Sequence, residues 1–246
     1  MIALQRFGKV ATAPPLVVIP GIDGSIGSVQ PIVEKLGAKR PIILVDYTQE
    51  AEPTLERLSA AVADILLTQV DTAFDLLGQS IGTILAAQLS VRVPPVRRVV
   101  LISTFLRLGD LKLRLSNCFA SLSPRWLYRL LTPPALAWQC GPVGDGRNHP
   151  FFARSVEIDP SVVVKRTSWE VGRDFHQDIA DIAHPLLVLM GQQDRFVPNA
   201  EREIEELRRL LAHRNARVIA VPHAGHVFLP TPAIEFAAAL ITEFLS

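Results

Sequence analysis

Short, almost continuously apolar runs recur along this chain, and amphipathic stretches separate most of them. The runs are Leu16–Ile19, Ile42–Val45, Phe74–Leu77, Val99–Ile102, Leu186–Met190 and Arg217–Val221. A half-exposed strand alternates apolar and polar residues, whereas a strand apolar throughout needs cover on both faces. The stretches Val29–Leu36, Leu55–Thr68, Ile81–Val91, Asn199–His213 and Ala233–Phe244 have the length and spacing of helices. This alternation predicts an α/β fold, a mostly parallel central sheet with helices on both faces. A further strand is expected within Ile2–Val10. Thr54 is placed to cap the second helix, although Arg57 stands where a capping-box acid would.

The alternation lapses from Phe105 to about Ala183, a segment with paired prolines (Pro133, Pro134), a glycine-rich turn (Gly141 to Gly146) and all three tryptophans. It reads as a mostly helical lid, or cap, inserted between two strands. The expected organisation is therefore a core of residues 1–104 and 184–246 with an insertion at 105–183. Its first half, Phe105 to Gln139, carries Arg107, Lys112, Arg114, Arg125 and Arg129 against Asp110 alone. Such a stretch suits weak contact with lipid or an acidic partner. The simpler reading is the solvated face of lid helices.

Composition narrows the function classes. At 246 residues and 49% hydrophobic, the chain fits one large α/β domain or two small ones and can bury a sizeable core. A formal net charge of +1 argues against a nucleic-acid binder that works by phosphate neutralisation. Cys118 and Cys140 make neither a disulfide framework nor a metal-ligand pair, and read as two reduced, buried thiols. No uninterrupted apolar run reaches the roughly 18 residues of a membrane span. The N-terminal residues lack a basic region followed by an apolar stretch and a cleavage site. A cytoplasmic location is the expectation.

Chemistry concentrates around Gly78-Gln79-Ser80-Ile81-Gly82, between an expected strand and an expected helix. Strand, Gly-x-Ser-x-Gly, then helix is the layout of a nucleophile elbow, a tight turn that lifts a serine hydroxyl to where a base can reach it. Acyl transfer through serine also needs a histidine base, an acid to orient it and donors for the oxyanion. Asp194 follows the strand Leu186–Met190, at the end where open parallel sheets bind ligands, and is the candidate acid. His226, in Val221-Pro222-His223-Ala224-Gly225-His226, follows the last strand and is the candidate base, preferred over His223 by its distance from the strand. His149, His176, His184 and His213 lack such context and default to structural roles. One oxyanion donor is expected at the N–H of Ile81, at a helix N-terminus. The second is expected in the loop Ile19-Pro20-Gly21-Ile22-Asp23-Gly24-Ser25, at the N–H of Ile22, with Asp23 as the alternative. A carboxylate facing an oxyanion would oppose catalysis, so the Asp23 side chain is expected to turn away and brace the loop.

Together these residues resemble the α/β-hydrolase superfamily, in the chain order Ser, Asp, His. The resemblance covers Leu16 to Ile102 and Leu186 to Leu245, with the insertion where that family carries its variable lid. The Pro-Gly-Ile-Asp-Gly loop looks like that of bacterial serine esterases and thioesterases of this fold, and of plant phytyl ester synthases. The His-Gly that opens the loop in many members is absent, and Thr83 stands where a further glycine often follows the elbow. The resemblance implies hydrolysis of an ester or thioester, with acyl transfer to an alcohol as a variant, and no metal or organic cofactor.

Three functions follow as expectations: a serine hydrolase of carboxylic esters, a thioesterase or acyltransferase with the same triad, and a non-catalytic binding protein on the same fold. The expected partner is a small acyl ester or thioester. Residues expected near the substrate are Asp23, Gln79, Phe105, Trp126, Trp138, Phe196 and Val227, although most lid aromatics would serve equally as the lid's own core.

Overall fold

The computed structural model describes residues 2–8, 13–48, 54–145 and 149–246. Among the described residues seven strands form one sheet: β1 (Ala3–Phe7), β2 (Leu16–Ile19), β3 (Ile42–Asp46), β4 (Phe74–Gln79), β5 (Val96–Ile102), β6 (Leu186–Gly191) and β7 (Ala216–Val221). Their spatial order is β1-β3-β2-β4-β5-β6-β7. Only β1 runs antiparallel, pairing with β3; the other neighbours are parallel. The strand expected within Ile2–Val10 is thus Ala3–Phe7, and the end of that range, Lys9 and Val10, lies outside the described residues. Gly146, at the end of the expected glycine-rich turn, lies outside them too.

Continuous apolarity in the strands has a direct cause. In β2, Val17 and Ile19 join one core while Leu16 and Val18 join another; in β6, Val188 and Met190 divide from Leu187 and Leu189 in the same way. One core lies beneath α2 (Leu55–Gln69), α3 (Ile81–Arg92) and α9 (Ala200–Leu210), the other beneath α1 (Gln30–Gly37) and α10 (Thr231–Phe244). Alternate side chains point to opposite faces, so in a strand covered twice both sets are apolar except where a buried polar group is paired, as Asp75 of β4 is with Arg40.

Two of these helices, α2 and α9, begin where a short polar side chain accepts an orphan N–H group. Thr54 Oγ1 accepts from the N–H of Arg57 at 3.3 Å, and Asn199 Oδ1 from that of Arg202 at 3.0 Å. In α9 the acids Glu201 and Glu203 occupy the first turn and Arg208 and Arg209 the last, matching the helix dipole. The α2 residues Leu55, Leu58, Val62 and Leu66 form the buried stripe that a helical period produces.

Between β5 and β6 run α4 (Asp110–Leu122), α5 (Arg125–Gln139), α6 (Pro150–Ser155), α7 (Pro160–Ser168) and α8 (His176–Ala180). Pro133 and Pro134 lie inside α5 rather than ending it. Cys140 is buried, whereas Cys118 is exposed, which corrects the expectation of two buried thiols. Cys118 shares an outward face of α4 with Leu115 and Leu122, so helical phase, not cysteine's preference for burial, sets its environment. Among the described residues no helix is long and apolar enough to cross a membrane.

Candidate active site

The C-terminal end of β4 runs straight into α3, and Ser80 takes the corner. Its φ of 54° lies in the left-handed region that a residue with a side chain rarely occupies. Holding serine there costs about 1–3 kcal/mol, which the surroundings must supply. The N–H of Ser80 donates to Ile102 O at 3.0 Å, and Thr83 Oγ1 donates to Ser80 O at 2.6 Å. Thr83 therefore clamps the elbow carbonyl, and Thr104 Oγ1 lies 2.8 Å from the same hydroxyl. The glycines of the pentapeptide permit a close crossing. A Cβ on Gly78 would lie 2.4 Å from Gly82 O, and one on Gly82 would lie 2.2 Å from Pro20 O.

Asp194 and His226 arrive on loops after β6 and β7. Both side chains are almost fully buried. His226 Nε2 lies 2.8 Å from Ser80 Oγ, and His226 Nδ1 lies 2.8 Å from Asp194 Oδ2. The other Asp194 oxygen accepts from the N–H groups of Phe196 at 2.8 Å and Val197 at 3.2 Å, which leaves Oδ2 aimed at the imidazole. The Phe196 ring lies against that of His226, centroids 4.5 Å apart. The end of α5 supports the histidine loop: His226 N–H donates to Cys140 O at 2.6 Å, and a Cβ on Gly225 would lie 1.5 Å from that oxygen. Burial, with the charge of Asp194 adding, pushes the Cys140 thiol up to about 12, so it stays protonated. His223, the rival candidate, is exposed.

The loop after β2 is held from two sides. Tyr47, fully buried just after β3, directs its hydroxyl at Pro20 O and Gly21 O, each 2.6 Å away. Gly21 O also accepts from Gly24 N–H at 2.9 Å. A trans peptide points its N–H opposite to its C=O, so the N–H of Ile22 faces away from Tyr47. It has no hydrogen-bond partner among the described residues. The N–H of Ile81 is the first of α3 and lacks an intrahelical acceptor. Asp23 is tied into its own loop, accepting from Ser25 Oγ at 2.9 Å, Ser28 Oγ at 3.1 Å and Ser28 N–H at 3.3 Å. Burial pushes its carboxyl up, against the lowering by these bonds.

Arg166 of α7 braces the loop from above. Only 1% exposed, it donates to Ile22 O at 2.7 Å and to Tyr47 O at 2.5 Å, with its guanidinium 5.0 Å above the Tyr47 ring centre. Nearby Glu170 is equally buried, and burial pushes its carboxyl up to about 8. Neither residue was singled out from the sequence, because a lone arginine or glutamate in a helical insertion reads as solvated. Tyr47 had a usable signal: it follows directly on a strand's C-terminal end.

Of the residues expected near the substrate, Gln79 lies beside the site, its Nε2 3.5 Å from His226 O. Phe196 lines a cavity of about 50 Å³ with Leu108, Leu113, Gln139, Thr167 and Arg195. Trp138 touches its rim through Arg195, whose guanidinium lies 6.0 Å from the indole. Phe105, by contrast, is core: fully buried, its ring edge-on to Phe175 at 5.8 Å. Val227 packs with Cys140, Phe151 and Phe152, and Trp126 faces solvent. Apolarity alone does not distinguish a residue that lines a cleft from one that fills a core. A larger cavity of about 620 Å³, bordered by Ser25, Asp46, Arg154 and Asp159, touches neither Ser80 nor His226. Among the described residues no cluster of three His, Cys, Asp or Glu is arranged to hold a metal.

Solved structures that share this fold include the following three. An esterase from Exiguobacterium antarcticum is 13% identical, with a TM-score of 0.82 over 100% of this chain and 96% of that one. An enol-lactonase from Burkholderia xenovorans is 18% identical, at 0.81 over 99% and 96%. A bromoperoxidase from Bacillus anthracis is 17% identical, at 0.81 over 99% and 95%. At such identity the likeness is one of fold. No curated protein matches the chain by sequence. The sequence pattern of the alpha/beta hydrolase family runs through residues 16–239, and the chain belongs to that family.

Proposed function

We propose that this protein is a serine hydrolase of carboxylic esters, with Ser80 as nucleophile, His226 as base and Asp194 as the acid that orients it. One observation carries the reading: the hydroxyl, imidazole and carboxylate form an unbroken line, 2.8 Å and 2.8 Å, at a serine held with positive φ. Ser80 Oγ attacks the ester carbonyl as His226 Nε2 takes its proton. The N–H groups of Ile81 and Ile22 receive the oxyanion. His226 then protonates the departing alcohol, and a water deprotonated by His226 releases the acid from Ser80. Asp194 keeps the Nδ1 proton in place and stabilises the imidazolium. Asp23 stays out of this chemistry because its charge is spent within its own loop. The helices of residues 105–183 serve as the lid.

Ser80→Ala should lower p-nitrophenyl ester hydrolysis by about three to six orders of magnitude while thermal unfolding stays unchanged. A fluorophosphonate should label the parent protein and not the variant. Unchanged turnover in Ser80→Ala would refute the assignment.

A thioester would form the same acyl-enzyme with a different leaving group. Arg195 at the cavity rim favours an anionic carrier on that side. Turnover of an acyl-CoA beside a simple ester of equal chain length tests this variant, and equal loss of both in Arg195→Gln would remove the argument for it.

A further inference from the structure

The outward faces of α4 and α5 carry large apolar side chains that stay exposed among the described residues. On α4, Leu111, Leu115 and Leu122 are exposed on the same face as Cys118, while Leu113 and Ala120 on the other side are buried. The helix is thus apolar on two sides and uses one for the fold. On α5, Trp126 and Leu130 are exposed one turn apart, with Leu131 and Trp138 exposed further round the same helix. Ring stacking between Phe119 and Tyr128, 6.3 Å apart, joins the two helices. Elsewhere among the described residues the exposed large apolar side chains sit singly, each on a different element. Scattered residues of that kind are ordinary; a concentration on consecutive helices is not.

Charge selects the occupant. Arg114, Arg125 and Arg129 are exposed on the same two helices, and the sequence from Leu111 to Gln139 contains no aspartate or glutamate. A second copy of this chain would bring the same arginines opposite one another. An anionic lipid surface brings phosphates to the arginines and acyl chains to the leucines and tryptophans, and asks for no shape complementarity.

We infer that α4 and α5 dock this protein on anionic lipid bilayers. The same helices supply Leu113, Ser116 and Gln139 to the cavity beside Phe196. A lipophilic ester held in the bilayer would therefore enter next to His226. That last step rests on the hydrolase reading; the docking does not.

The test uses the full chain and its Ser80→Ala variant with vesicles of phosphatidylcholine, alone or mixed with phosphatidylglycerol. Both proteins should co-sediment with the mixed vesicles, at least about tenfold more tightly than with phosphatidylcholine alone. The double variant Leu115→Asp/Leu130→Asp should lose binding by about tenfold or more and keep its turnover of a dissolved p-nitrophenyl ester. Arg114→Gln/Arg129→Gln should lose the preference for phosphatidylglycerol. Failure of the parent protein to bind either vesicle overturns the proposal, as does binding indifferent to Leu115→Asp/Leu130→Asp. So does a dimer in solution that Leu115→Asp dissociates, because the face would then belong to a second copy. Vesicle binding by a Ser80→Ala protein that still turned over ester would leave the docking standing and remove the triad. Ser80-dependent hydrolysis without vesicle binding would do the reverse.

Discussion

Replacing Tyr47 by phenylalanine removes one oxygen atom, and its consequences can be worked out bond by bond. The hydroxyl proton is shared between Pro20 O and Gly21 O, each 2.6 Å away, in a place with no solvent. In the variant Gly21 O keeps the N–H of Gly24, whereas Pro20 O loses the tyrosine without replacement. A buried acceptor left unpaired costs about 1–3 kcal/mol, and that is the expected fall in folding stability. The ring itself stays, and with it the contact to Arg166 at 5.0 Å. Activity should fall further than stability suggests. The Gly21–Ile22 peptide is aimed by its carbonyl, so releasing Gly21 O from Tyr47 lets the Ile22 N–H swing out of line. Complete loss of one oxyanion donor costs about a hundredfold to a thousandfold in kcat. With Gly24 still holding the carbonyl, a loss of about tenfold to a hundredfold is expected, with KM little changed because the donor acts on the transition state. Burial raises the phenol far above its ordinary value, so the hydroxyl keeps its proton throughout the assay range. Steady-state kinetics on a p-nitrophenyl ester, paired with urea unfolding, measure both effects. A protein destabilised as stated but with undiminished kcat would show that Tyr47 braces the fold and that the Ile22 N–H is no oxyanion donor.

Two further outcomes test the surroundings of the site. Gly82→Ala would place a Cβ 2.2 Å from Pro20 O and 2.5 Å from Ile19 O, both backbone atoms of the adjoining strand and loop, so α3 must shift. Differential scanning calorimetry should show a loss of about 1–3 kcal/mol or more, and the proposed ester hydrolysis should fall with it because the loop proposed to receive the oxyanion moves too; a variant equal to the parent in both would refute the close crossing. Glu170 is held protonated by burial, its carboxyl pushed up to about 8 from the usual carboxylate range. Between the two values the unfolded chain is ionised while the fold retains the proton, so stability falls as pH rises from about 4.5 to about 8. Glu170→Gln should flatten that slope, by up to a few kcal/mol on the order of magnitude of the shift. Identical stability–pH curves for parent and variant, from urea unfolding at about pH 5 and about pH 8.5, would contradict it.

Local chemistry made the sheet and the elbow readable in advance. Val17 and Ile19 face one core and Leu16 and Val18 the other, so β2 had to be apolar at every position, and that need is written in consecutive residues. The elbow is equally local, since turn geometry and helix start depend on five neighbouring residues. The antiparallel edge β1 and the burial of Phe105 and Val227 were less legible, because an apolar side chain looks the same in a core, a cleft or a loop. Cys118 shows the same limit from the other side: its type favours burial, and the rotation of α4 turns it out.

By itself, then, the sequence determined which residue types stand at the ends of β4, β6 and β7, and in what order. Only the tertiary structure decided that Asp194 Oδ2, His226 and Ser80 Oγ, drawn from across 146 positions, close to 2.8 Å. It alone also brought Arg166 from 144 residues away onto Ile22 O. The physical reason is that strand and turn preferences act between neighbours along the chain. Burial of a charge and the aim of a peptide depend on neighbours in space, which exist only once the sheet has ordered its strands and the helices between β5 and β6 have packed down on them.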